Sequence, residues 1–299
     1  KRRALTGSKR RWPGCCGMFE GLYGLSCVEN QVLAFLRQQE VDVAPLYYNS
    51  AVPLKELFFF MVIQGMSPVR FDRVGRIQDD LRARGMLAFE KREQELSAWL
   101  ETLSEQTERE AVLILVTPEF TKSVLMARGF RDDHYVRLLP EGEGWAVFND
   151  IPDKSVMLTG TELREAYAGS GFHLCLRRGL DREERRRFWN GRIFKPENHV
   201  DFWFYEQDLD GIPDVGRRLR DMIGIYKQLR YRIAAYYEDY GLDMAFMRKM
   251  EPEMERIYAL SEYYHLKRTV PPSQFYTLLQ EIARMDNRLM AELRSRLGG

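Results

Sequence analysis

The chain has 299 residues, of which 45% are hydrophobic and 30% charged. That is enough for one large domain or two ordinary ones, and it excludes a disordered chain. The formal net charge of +1 excludes a strongly basic nucleic-acid surface. No apolar run reaches transmembrane length, and the basic start (Lys1-Arg2-Arg3, Lys9-Arg10-Arg11) is not followed by an apolar segment of signal-peptide size, so neither a membrane span nor an export signal is expected.

Residues 1–19, with Trp12-Pro13-Gly14-Cys15-Cys16-Gly17, read as an irregular lead-in. The first distinctive stretch is Leu25-Ser26-Cys27-Val28-Glu29-Asn30-Gln31-Val32-Leu33-Ala34-Phe35-Leu36. Leu25, Val28, Val32, Leu33 and Leu36 fall on one broad helical face, which predicts a helix over 26–39. Ser26 suits the N-cap, and Glu29 stands three residues on, as in a capping box. Cys27 then occupies the first turn, where unpaired backbone N–H groups and the positive end of the helix dipole favour a thiolate.

Val41 to Tyr48 reads as extended, and Val52 to Val62 as a buried apolar run broken by Gly65 and Pro68. Phe71, Val74, Ile77 and Leu81 predict a helix over 70–86. Leu96, Trp99, Leu100 and Leu103 predict a charged helix over 88–109. Ala111-Val112-Leu113-Ile114-Leu115-Val116 is a short continuous β-branched run, as in a central strand. Asp132 to Asp153 holds two alternating runs around Gly142-Glu143-Gly144, a β-hairpin. His134 opens its first strand and Asn149-Asp150 close the second, so the antiparallel topology brings them together. A short helix over 161–168 and a strand at Phe172–Leu176, with His173 as a strand residue, follow. A charge run at 181–187 suggests a boundary near 178–186, and aromatic residues crowd 188–205. Helical stripes then run over 214–240, 243–266 and 273–297.

The expected division is a lead-in over 1–19, a catalytic domain over 20–180 and a helical domain over 181–299. The four cysteines (Cys15, Cys16, Cys27, Cys175) make no disulfide scaffold in a chain this long. No Cys/His set has structural-zinc spacing and no HExxH occurs. A reducing, cytoplasmic compartment and a metal-free protein without a tightly bound cofactor are therefore expected.

Cysteine catalysis needs a thiolate, an imidazole to take and return its proton, and a group that orients the imidazole. Cys27, His134 and either Asp150 or Asn149 supply these in the order Cys…His…Asn/Asp. Strand alternation puts Asn149 and Asp150 on opposite faces, so one orienter is expected; Asp150 is ranked first and Asn149 second. Cys15, Cys16, Cys175, His199 and His265 receive no role.

At Cys27 with the residues that follow it, and at His134-Tyr135-Val136 … Trp145-Ala146-Val147-Phe148-Asn149-Asp150, the sequence resembles the papain-like acyltransferases typified by the butirosin-biosynthesis H protein. Their N-terminal domain is related to the C39 double-glycine peptidase fold. The fold class expected is α+β: a papain-like cysteine-enzyme domain with a central antiparallel sheet, followed by a helical domain. The resemblance implies transfer of an acyl group from a carrier-protein phosphopantetheine thioester to an amine, through an acyl-Cys27 intermediate, in natural-product assembly. The implied partners are an acyl carrier protein or peptidyl carrier domain and a small amine acceptor. Two departures stand out. Val28-Glu29-Asn30 replaces the small hydroxyl residues usual after the cysteine. No glutamine lies between Phe19 and Ser26, so the oxyanion donor falls to the Cys27 backbone N–H and Asn30. A peptidase or thioesterase on the same residues is the competing enzyme reading, and a non-catalytic scaffold the competing structural one. Residues 20–180 hold nucleophile, base and orienter and are expected to carry acylation alone. The helical half is expected to shape the acceptor pocket, with Arg217, Arg218 and Arg220 available to a carrier protein.

Overall fold

The computed structural model describes residues 18–48, 50–68, 76–126, 133–178, 201–239, 245–269 and 271–297. Cys15, Cys16, Phe71, Val74, Asp132, His199, the charge run at 181–187 and the aromatic residues at 188–194 lie outside them. The fold is α+β, an antiparallel six-stranded sheet with helices before, between and after its strands.

The chain forms two compact units that are not consecutive in sequence. Each unit gathers separate stretches of the chain. The described part of the first unit is 18–22, Asn30–Phe35 of helix α1 (Cys27–Gln38), and the described residues of Ala88–Leu176. Its sheet has the order β1-β6-β2-β3-β4-β5. The strands are β1 (Leu87–Glu93), β2 (Glu110–Val116), β3 (His134–Glu141), β4 (Gly144–Asn149), β5 (Lys154–Leu158) and β6 (Tyr167–Leu176). The continuous run in β2 is central, flanked by β3 and β6, as its lack of polar alternation requires. On one face Val112, Ile114, Val136, Leu138 and Val147 pack with Trp99 and Leu103 of α4 (Leu96–Ser104), Phe120 of α5 (Pro118–Ser123) and Leu163 of α6 (Gly160–Ala166). Helix α6 starts with a full capping box, Thr159 and Glu162 each bonding the other's backbone N–H.

The charged helix expected over 88–109 is instead β1 followed by α4. Leu87 and Phe89 alternate with exposed Glu90 on a strand at the sheet edge, where charged residues blunt further pairing and mimic a solvated helix face. Edge strand β5 is missing from the sequence reading for the same reason, its burial being weak along most of its length.

The second unit takes Tyr23–Glu29, Leu36–Leu87 and the described residues from Arg177 on. Ala44–Tyr47 is a 3-10 turn, where an extended segment was expected, because Pro45 sits in its first turn. Helix α2 (Leu54–Leu57) runs into a π-helical turn, Phe58–Ile63, and α3 spans Ile77–Ala83. Three long helices follow: α7 (Val215–Asp239), α8 (Ala245–Lys267) and α9 (Ser273–Leu297). The stripe Leu219, Ile223, Tyr226, Leu229, Ile233 is buried. Charge is buried with it. Asp286 of α9 accepts hydrogen bonds from Arg230 Nε at 2.9 Å, from Tyr226 Oη at 3.1 Å and from the Leu54 backbone N–H at 3.3 Å. Arg230 also donates to the Val52 carbonyl. One carboxylate thus pairs with a buried guanidinium and caps α2.

Candidate active site

Helix α1 begins at Cys27. Ser26 Oγ accepts the Glu29 backbone N–H at 3.2 Å, as the sequence predicts. The return bond of a capping box is displaced by one residue. Glu29 Oε2 accepts the Leu25 N–H at 2.7 Å, and its Oε1 the Ile77 N–H at 3.2 Å. Cys27 is half-buried and forms no disulfide.

In the first unit, His134 is placed by the period of two. It extends the row of Leu138 and Val136 to the end of β3, and Asn149 extends the row of Val147 to the end of β4. The two polar residues therefore end neighbouring apolar rows on one face and meet diagonally. His134 Nε2 lies 2.5 Å from Asn149 Oδ1. The Asn149 Nδ2 donates to the Pro152 carbonyl at 2.7 Å, which fixes the amide so that its oxygen faces the ring. Nε2 then carries the proton, and Nδ1 is the basic nitrogen of the neutral imidazole.

Asp150, ranked first from the sequence, is the more distant partner: its Oδ1 lies 3.9 Å from His134 Nε2. Both residues approach the ring because β4 ends at Asn149 and the strict alternation does not extend into the turn. His134 and Asn149 have at most 1% exposure, and Asp150 is buried with them. Burial pushes the Asp150 carboxyl above its ordinary value, while His134 and the Asn30 amide pull it partly back.

Asn30, a candidate oxyanion donor by sequence, directs its Nδ2 at Asp150 Oδ2 over 2.9 Å. Its neighbour Gln31, given no role from sequence, donates to the Phe148 carbonyl at 2.8 Å and is fully buried. The available signal was two adjacent amides directly ahead of the apolar run Val32–Leu36. Arg137 was missed as well. Its guanidinium is buried 5.4 Å above the Phe148 ring and is pulled down to about 10 by desolvation.

Cys27 belongs to the second unit, and His134, Asn149, Asp150 and Asn30 to the first. Cys175 and His173 lie on β6, His173 3.6 Å from Glu110; His265 is in the last turn of α8. Of the arginines expected to meet a carrier protein, Arg218 donates to the Val62 and Ile63 carbonyls and Arg220 pairs with Asp221 and Glu262. Arg217 is half-exposed near Asp214. Among the described residues no group of three or more His, Cys, Asp or Glu is placed to hold a metal ion, and no helix is long and apolar enough to cross a membrane. The chain matches no protein-family model, no curated protein and no solved structure.

Proposed function

We propose that the protein is a cysteine-dependent acyltransferase that moves an acyl group from a carrier-protein thioester to an amine. The observation that carries the reading is the buried His134–Asn149 pair, with Asp150 held beside it by Asn30. A nucleophile at a helix start, an imidazole of fixed tautomer and a group that fixes it form a recognised catalytic set.

In this reading His134 Nδ1 takes the Cys27 proton and the thiolate attacks the thioester carbonyl. The tetrahedral oxyanion is met by the Cys27 backbone N–H. Collapse expels the phosphopantetheine thiol, which leaves with the proton from Nδ1, and acyl-Cys27 remains. An amine then attacks, His134 removes its proton, and that proton returns to the departing Cys27 thiolate. Asn149 fixes the tautomer, and Asp150 Oδ1 lies 3.9 Å from the same ring nitrogen. A thioester needs little leaving-group help, so a thiol–imidazole pair suffices.

Mass spectrometry of the intact protein after incubation with acylated carrier proteins tests this. The wild type should gain the acyl mass and lose it on adding an amine, with the amide as product. Cys27→Ala should gain none, and His134→Ala should be slower by at least about 10³-fold. Cys15→Ala, Cys16→Ala and Cys175→Ala should label normally. Labelling of Cys27→Ala would sink the proposal; free acid formed equally with and without the amine would make the protein a hydrolase.

A further inference from the structure

The residues leading into α1 are held by a clamp built within the second unit. Arg232 of α7 and Glu29 form an ion pair whose side chains are 0% and 3% exposed. The Arg232 Nη2 donates to Glu29 Oε2, and its Nε donates to the Tyr23 carbonyl at 2.5 Å. Glu29 accepts the Leu25 N–H in turn. The Tyr23 N–H donates to Tyr47 Oη at 3.1 Å, the guanidinium lies 5.2 Å above the Tyr47 ring, and the Tyr23 ring stacks on Tyr231 at 5.0 Å. The segment is therefore pinned at residues 23, 25 and 29, and Cys27 stands between the last two.

A buried ion pair seldom adds stability over an apolar pair of similar volume, and its best-attested use is to specify one geometry. The rigid guanidinium fork does that here by tying two points of one loop together. Arg232 also neutralises a carboxylate two residues from the thiol, which alone would oppose thiolate formation.

We propose that Arg232 and Glu29 are positioning residues for Cys27: the fork joins the Tyr23 carbonyl to Glu29 and so fixes the loop that presents the thiol at the start of α1. The proposal rests on the nucleophile reading above, and it gives the helical part of the chain a part in the chemistry without an acid–base group of its own.

The test is the rate of alkylation of Cys27 by iodoacetamide against pH, read by peptide mass spectrometry with Cys175 as internal control. Two variants are used: Arg232→Lys, which keeps the charge opposite Glu29 but loses the fork, and the double variant Glu29→Leu/Arg232→Met, which leaves no buried charge unpaired. In whichever variant keeps the wild-type circular dichroism, Cys27 should react at least about tenfold more slowly at neutral pH. Its pH profile should move to higher pH while Cys175 is unchanged. A folded variant with the wild-type Cys27 rate and profile overturns the clamp and leaves the nucleophile reading standing. A wild-type Cys27 no faster than Cys175 overturns both.

Discussion

Asn149 and Asp150 are neighbours in sequence with different work around one imidazole. Asn149 Oδ1, at 2.5 Å, fixes which ring nitrogen holds the proton, and Asp150 is a buried carboxyl 3.9 Å from that nitrogen. The burial that raises the Asp150 carboxyl also makes it a stability probe. Between its ordinary value and its raised one, the folded state keeps a proton that the unfolded chain releases. The resulting stabilisation is full below the ordinary value and is lost as pH rises through the folded one. Asp150→Asn removes this dependence. The melting temperature of the wild type relative to Asp150→Asn should therefore fall as pH rises through that window and level off above it. Parallel curves would show that the carboxyl is not perturbed. The pairing of His134 with the 149–150 turn was legible in the sequence because hairpin topology is local. The nearer partner was not, because it depends on where β4 stops, and a boundary shift of one residue changes which side chain faces the ring.

At the scale of elements, legibility followed burial on both sides. The continuous apolar run of β2 and the periodic stripes of α7 to α9 read correctly, while the edge strands β1 and β5 look like surface helix or loop. One close approach could not be read at all. Gly171 of β6 lies beneath Trp99 of α4: a Cβ there would stand 2.5 Å from the Leu113 carbonyl oxygen and 2.8 Å from Trp99 Cζ2. Trp99 is fixed from its other side, its Nε1 donating to Tyr167 Oη at 2.9 Å and that hydroxyl donating to the Gln94 carbonyl. Gly171→Ala should destabilise the protein by about 1–3 kcal/mol, seen as a lower melting temperature. An unchanged melting temperature would mean that α4 yields at no cost.

For the whole molecule, the expectation that residues 20–180 act alone meets the way the second unit is assembled. Residues Leu36–Leu87 are completed by helices more than a hundred residues later. Arg218 donates to the carbonyls at the end of the π-helical turn, Arg230 to Val52, and Phe58 packs against Phe202 and Phe204. Expressed without residues 179–299, the chain should leave Leu54, Leu57, Met61 and Val62 uncovered. It should bind an apolar dye and be cut by trypsin at Lys55. A fragment that melts as cooperatively as the full chain and resists trypsin would overturn this. Sequence could not disclose the interleaving, since a helical stripe states that a face is buried but not which distant segment buries it.

The cap that Asp286 places on α2 joins residues 232 positions apart. During synthesis at ~5–20 residues per second, α2 and the apolar turn after it wait roughly 10–50 s for their last partner to be translated. Over that interval a run of leucine, phenylalanine, methionine and valine stays open to whatever binds apolar chains. Slowing translation between residues 63 and 286 should therefore lower the yield of native protein, and added holding chaperone should restore it; a yield that does not respond to either would show that the open run is harmless.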